Sequence, residues 1–227
     1  MKNDSGLEEF EVKSRREWRL FAKNGEFWQA AREVEFVAFA DSDDIVLPQA
    51  YEVAMEGMKS GAECVFFGAK CFGEWDKESW AGDDAVLRVR REGLSEMHWQ
   101  IALDAPNCPW DQLFRLRLLA KHRLFFPPVK IGEDEVFKFC YLALCQSVYF
   151  MSQTLYLYRK SEGSASFGYA AELESGECRL DILENFKYIA EFYRQHGLFE
   201  ANYGLLQRIY TNLLADAITL NAKQHLK

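Results

Sequence analysis

The stretch EFVAFADSDDIVLP, residues 35–48, decides the reading of the chain. Its apolar run, Phe36 to Ala40, stops abruptly on Asp41-Ser42-Asp43-Asp44. A short apolar run with polar flanks reads as a strand buried on both faces. Pro48 can open a helix, because its missing N–H is not needed in a first turn. Open α/β sheets bind their ligands beyond the carboxyl ends of such strands. Three carboxylates packed there repel one another and resist burial unless a cation joins them. A hard divalent ion held by oxygens, with phosphates among its other ligands, meets that requirement. The structural alternative is that Asp41 and Ser42 form a turn and the acids cap the helix over residues 49–59.

Downstream of this stretch, residues 49–60 read as a helix, with Val53 and Met58 among its apolar positions and Gly61 ending it. Residues 63–72, ECVFFGAKCF, read as a second buried strand. That strand–helix–strand spacing predicts parallel neighbours joined by a right-handed crossover. Residues 73–84 are acidic, carry Trp75 and Trp80, and read as an exposed loop. Residues 90–101 read as a short helix carrying His98, a lone histidine of the kind that is more often structural than a ligand. Residues 107–115, NCPWDQLFR, form an aromatic-apolar segment entered through a proline. A helix is expected over 116–122, stopped by Phe125-Phe126-Pro127-Pro128, and another from Glu133 to about residue 145. Residues 148–151 and 154–158 read as short strands, and 160–167, KSEGSASF, as a polar loop. In the tail, Leu183, Phe186, Ile189 and Tyr193 make one helical apolar stripe. Leu206, Ile209, Leu213, Ala217 and Leu220 make a second, separated from the first by His196-Gly197.

The segment before this stretch says less. Lys13, Arg15, Arg16, Arg19 and Lys23 are interleaved with Trp18, Leu20 and Phe21. Such a segment suits either an amphipathic helix on an acidic lipid surface or a solvated helix packed by its aromatics.

Composition removes several classes. With 227 residues, 49% of them hydrophobic and 15% aromatic, the chain can bury a large core and is not a disordered one. Its formal net charge of −8 argues against a nucleic-acid partner. The six cysteines, at positions 64, 71, 108, 140, 145 and 178, form no CxxC pair, and no secretory signal precedes them. They read as reduced core thiols of a cytoplasmic protein. No apolar run approaches the about 20 residues that span a bilayer. Peripheral contact with the inner face of the plasma membrane stays open.

Carboxylates crowd a second time at Gly132-Glu133-Asp134-Glu135. Acids in a first helical turn are favoured by the helix dipole alone. A carboxylate held among like charges and partly desolvated also gains basicity, which suits a general base. Asp134 follows Asp43 by 91 residues, so only tertiary folding can bring the two to one cleft.

Four segments in order, FADSDDIVLP, NCPWDQLFRLRLL, FFPPVKIGEDEVF and LYLYRKSEGSAS, resemble the family 2 glycosyltransferases with the GT-A fold. The likeness covers roughly residues 34–199. The family's usual forms are a strand ending in DxDD, a W-x-K-L-[YF] segment, an F…GED-x-x-F segment and a Y-x-Y-R…S segment. The tail FYRQHGLFEANY is similar to the helical extension of bacterial members that build capsules or lipopolysaccharide. The resemblance implies an α/β fold: a truncated, Rossmann-like GT-A mixed sheet flanked by helices, with a C-terminal helical extension. It divides the chain into a degenerate segment 1–34, a catalytic and acceptor half 35–170, and the extension 171–227.

By position, the resemblance implies that Asp41 touches the ribose side of the nucleotide and that Asp43 binds Mn²⁺ or Mg²⁺ on the diphosphate, with Asp44 beside it in the donor site. It implies that Asp134 is the base on the acceptor hydroxyl and that Glu133 orients the acceptor. Trp110 supplies an apolar wall for a sugar face and, with Tyr158, binds the acceptor, while Tyr158, Arg159 and the serines at 164–166 close over the diphosphate. The donor implied is a nucleotide sugar, of UDP type, and the acceptor a cell-surface glycan. Gln112 stands where the family usually carries Lys. The family's opening SIIIPVYN-type strand and DDGS-like segment have no counterpart here. The sheet is therefore expected to present an edge, to be covered by residues 1–34, by a second copy or by a partner chain. Three readings follow: a metal-dependent inverting sugar transferase, a non-catalytic glycosyltransferase-like binding module, and an inactive truncated remnant.

Overall fold

The computed structural model describes residues 10–13, 34–72, 91–129, 132–159 and 182–225. The basic segment after Lys13, the Trp75 and Trp80 loop and the 160–167 loop lie outside those residues, as does Cys178.

Seven strands make one mixed sheet: β1 Phe10–Lys13, β2 Phe36–Phe39, β3 Ile45–Val46, β4 Cys64–Phe72, β5 Gly93–Glu96, β6 Gln112–Arg115 and β7 Ser147–Arg159. The spatial order is β1-β2-β6-β4-β7-β3, and β5 also pairs with β7. The β1–β2 and β4–β7 pairs are parallel and the rest antiparallel. All four residues of β2 are buried, because both faces of the sheet are covered. Val37 and Phe39 enter one core, and Phe36 and Ala38 the other.

The first core lies under the helices α2 Trp99–Asp104, α3 Leu116–His122, α4 Glu133–Leu142, α5 Ile182–Gln195 and α6 Tyr203–His225. The second lies under α1 Ala50–Lys59 and Trp110. The two tail stripes join the first core through Ile189, Tyr193, Leu206, Ile209 and Leu213. The Tyr193 hydroxyl also donates to the Phe139 carbonyl at 3.1 Å, tying α5 to α4. Gly197, at φ +67°, makes the turn between the tail helices. Cys64, Cys140 and Cys145 are buried, and Cys71 and Cys108 are partly buried. Among the described residues no helix is long and apolar enough to cross a membrane.

Three sequence expectations need correction. The strands 36–40 and 63–72 run parallel but are not neighbours, because β6 sits between them and is antiparallel to both. Four residues, all buried, show no alternation by which QLFR could be read as a strand. The expected helix over 90–101 is β5 followed by α2. The two short strands at 148–158 are one strand of 13 residues, β7. Its register against β4 slips from Phe66↔Phe150 to Gly68↔Thr154, which accommodates the polar Ser152-Gln153 step that looked like a break. A Cβ on residue 68 would stand 3.0 Å from both the Ser152 and Gln153 carbonyl oxygens, so the irregularity requires glycine.

The edge of β2 is not bare. β1 pairs along it with Phe10 opposite Phe36 and Lys13 opposite Phe39. Covering by residues 1–34 was one of the three options above.

Candidate active site

The Asp41–Asp44 loop leaves β2 at the carboxyl edge and turns back at once, with the Asp44 N–H donating to the Asp41 carbonyl at 3.2 Å. β7 holds this loop from the side. The Tyr156 hydroxyl donates to Asp44 Oδ2 at 2.6 Å and accepts from the Asp41 N–H at 3.1 Å. The Arg159 N–H donates to Asp44 Oδ1 at 2.7 Å, and Arg159 Nε donates to the Asp43 carbonyl at 2.7 Å. β3 then pairs with Tyr156 and Leu157, so the chain is fixed to β7 on both sides of the turn. Burial raises the Asp44 carboxyl above the ordinary range; the Arg159 and Tyr156 hydrogen bonds oppose the rise, and Asp41 and Asp43 add to it. Burial first, and then the bond to Asp44, push the Tyr156 phenol up.

Behind the loop is an aromatic stack. Trp110 lies against Tyr156 with centroids 4.6 Å apart and 15° between planes, and against Tyr158 at 5.1 Å and 6°. Trp110 is only 4% exposed, so its present contact is with the two tyrosines, and Tyr158 is the partly exposed member. Beside it, Asp111 is wholly buried, and burial pushes its carboxyl well up. Asp111 Oδ1 accepts from Gln112 Nε2 at 3.2 Å, while Oδ2 has no hydrogen-bond partner among the described residues. Gln112 also donates to the Cys108 carbonyl at 2.5 Å and accepts from the Cys64 thiol at 3.7 Å. Where the family pattern has Lys, this chain thus places a neutral amide in a dry cluster.

The second acidic segment reaches the same edge from the helical face. Gly132, at φ +79°, turns the chain into α4, whose first turn carries Glu133, Asp134 and Glu135. The direction of α4 follows from two of its side chains. Phe137 packs edge-on against Phe39, the last residue of β2, at 5.6 Å between centroids. One turn on, the Tyr141 hydroxyl donates to the Glu63 carbonyl at 2.5 Å and accepts from the Arg115 N–H at 2.8 Å, which is the start of β4 and the end of β6. α4 therefore runs antiparallel to β2 and β4. Its acidic N-terminus stands at the carboxyl edge, on the side where the Asp41–Asp44 loop emerges. Glu133 and Asp134 are partly exposed there. One turn further in, Lys138 is buried, donates to the Ala105 carbonyl at 3.1 Å, and has its pKa lowered by burial to about 8.

Of the predicted residues, the structure brings Asp41, Asp43, Asp44, Trp110, Tyr158 and Arg159 into one cluster, with Glu133 and Asp134 on the same edge. The serines at 164–166 lie outside the described residues. Sequence reasoning missed Tyr156, the residue that holds the loop. The signal was present: Tyr156 and Tyr158 in LYLYR are two apart and so share one face of a strand. Among the described residues, no group of three or more His, Cys, Asp or Glu is arranged to hold a metal ion. Both Asp44 oxygens are engaged by β7, and Asp43 presents an exposed carboxylate at the loop tip. One carboxylate suits a small hard ion that takes its remaining ligands from phosphate and water.

Fold comparison agrees with this architecture. The crystal structure of S. aureus TarS 1–349 in complex with UDP-GlcNAc matches 87% of this chain and 60% of its own, with 20% identity and a TM-score of 0.50. The chain shares the fold of that TarS structure. The mixed sheet flanked by helices is as the sequence implied. The same TarS region in complex with UDP matches 86% of this chain and 58% of its own, with 20% identity and a TM-score of 0.48. The chain thus spans about three-fifths of each of these two TarS structures. No protein-family model and no curated protein sequence matches it.

Proposed function

We propose that this protein is an inverting glycosyltransferase of the GT-A, family 2 type, moving a sugar from a nucleotide-sugar donor to a glycan acceptor. The observation that carries the reading is the placement of two acidic segments, far apart in sequence, at the carboxyl edge of one sheet. The fold shared with a protein crystallised with UDP-GlcNAc supports a UDP-sugar as donor.

In this reading the acceptor hydroxyl attacks the anomeric carbon, in line with the departing nucleoside diphosphate. Asp134 takes the hydroxyl proton as the new C–O bond forms and the bond to the diphosphate breaks. Glu133 orients the acceptor. Asp41 faces the ribose, in a loop whose shape Tyr156 sets through the Asp41 N–H and the Asp44 carboxylate. Arg159, held against the Asp43 carbonyl and 4.7 Å over the Phe72 ring, supplies a fixed positive charge beside the leaving group. Tyr158 offers a partly exposed ring next to the loop, and Trp110 stiffens it from behind. Asp43 would hold Mn²⁺ or Mg²⁺, which neutralises charge developing on the diphosphate.

A second reading, a non-catalytic glycosyltransferase-like binding module, is favoured by the engagement of both Asp44 oxygens within the protein. Calorimetry with Mn²⁺ and a panel of UDP-, GDP- and CMP-sugars separates the two. The transferase reading expects metal-dependent binding that Asp43→Ala abolishes. It also expects Asp134→Asn to bind donor normally and transfer nothing. Absence of metal-dependent binding in the wild type would leave only the binding-module and truncated-remnant readings.

A further inference from the structure

His122 and His196 belong to neither acidic segment. His122 is the last residue of α3, and His196 follows the last residue of α5. Their ring centroids lie 4.9 Å apart, with 47° between planes. We infer that these two imidazoles form a binding site for a first-row divalent transition ion of the Zn²⁺ or Ni²⁺ kind, clamping the end of α3 to the α5–α6 turn.

Spacing is the first support. Two ring nitrogens bound to one ion at about 2.0–2.1 Å, with a tetrahedral angle between them, set the ring centres about 5 Å apart. The observed separation of 4.9 Å matches that spacing. Tautomer is the second. His196 Nδ1 lies 2.8 Å from the Phe192 carbonyl, which can only accept, so Nδ1 carries the proton. The Nε2 lone pair of His196 is thereby directed away from its own helix. A ligating histidine commonly has its other nitrogen fixed by a carbonyl in this way. The His196 ring is also held by stacking on Phe192 at 4.0 Å, so little freedom is lost on binding.

Placement at the helix ends is the third support. Both rings stand at helix C-termini, where the carbonyl ends of the helices favour a cation. Lys121, Arg123 and Arg194 are near in sequence and work against a dication. All three are exposed, and the Arg194 guanidinium is drawn 4.5 Å over the Phe199 ring. Water completes the coordination, because both histidines are partly exposed.

The test is a titration of the full chain with Zn²⁺ alone, read by calorimetry and by thermal unfolding. The expected result is one saturable ion per chain and a raised Tm at about pH 7.5. His122→Gln and His196→Gln should each weaken binding by about tenfold or more, while His98→Gln, at an exposed position just before α2, should not. Circular dichroism confirms that each variant is folded before titration. Equal affinity in wild type and both pair variants would assign the ion to other groups, such as the thiols, and overturn the site. So would no saturable binding up to about 1 mM.

Discussion

Replacing Tyr156 with Phe removes one oxygen and nothing else. The ring stays in its stack with Trp110, so the apolar contribution of that contact is unchanged. Two hydrogen bonds are lost: the donation to Asp44 Oδ2 at 2.6 Å, and the acceptance from the Asp41 N–H at 3.1 Å. A bond to a charged group contributes about 1.5–3 kcal/mol and a neutral one about 0.5–1.5 kcal/mol. Asp41 and Asp44 are partly exposed, so water replaces part of both, and a net loss of about 2 kcal/mol is expected. For a chain of this size that lowers Tm by about 4–8 °C. Urea unfolding measures it directly, as a lower midpoint with an unchanged m value. A double-mutant cycle with Asp44→Asn should return a coupling of about 1–2 kcal/mol, because both changes break one contact. In the transferase reading, Tyr156→Phe also weakens donor binding, since the loop loses its shape. A stability loss below about 0.5 kcal/mol, or strict additivity with Asp44→Asn, would refute the account of Tyr156 as the residue that fixes this loop.

Three further outcomes follow from the surrounding residues. Asp111 has a folded pKa raised well above 3.8, so between 3.8 and that raised value the folded state holds a proton that the unfolded state has lost. Wild-type stability should therefore fall as pH rises through this window, and Asp111→Asn should remove that component; urea curves at stepped pH that stay parallel would disprove it. Lys138 carries the opposite sign. Its pKa is lowered from 10.5 to about 8, so from pH 8 to 10.5 the unfolded state binds the extra proton, and wild-type stability should climb relative to Lys138→Met over that interval. Gly132→Ala meets both a φ of +79° and the Asn185 amide, so a loss of about 1–3 kcal/mol is expected. Adding Asn185→Ala should relieve the clash but not the backbone strain, which thermal unfolding of the single and double variants will separate.

The sequence carried its clearest information where one residue type has one physical use. Phe36 to Ala40 ending on DSDD, the glycine before Glu133-Asp134-Glu135, and the paired tail stripes each had a single plausible place in an α/β sheet with helices. The neighbours of β2 were harder to read, because β6 is four buried residues with no period of its own. Whether two strands are adjacent depends on which third segment can slide between them, and nothing within either strand records that. β7 was read as two strands because Ser152 and Gln153 look like a break. The irregularity is set by the missing side chain of Gly68 on the facing strand, 84 positions before Ser152. At the site, aspartates at a strand end announced themselves by mutual repulsion. Tyr156 did not, since a tyrosine in a strand is ordinarily core, and only its partner across the loop shows that its hydroxyl is the anchor.

The proposal that both acidic segments share one nucleotide-sugar site is most directly tested by line broadening from Mn²⁺. With Mn²⁺ and UDP-GlcNAc added to isotope-labelled protein, amide signals of Asp41–Asp44 and of Glu133–Glu135 should broaden together, and Asp43→Ala should restore both sets. Broadening confined to the Asp41–Asp44 loop, or absent from both segments, would contradict a shared site.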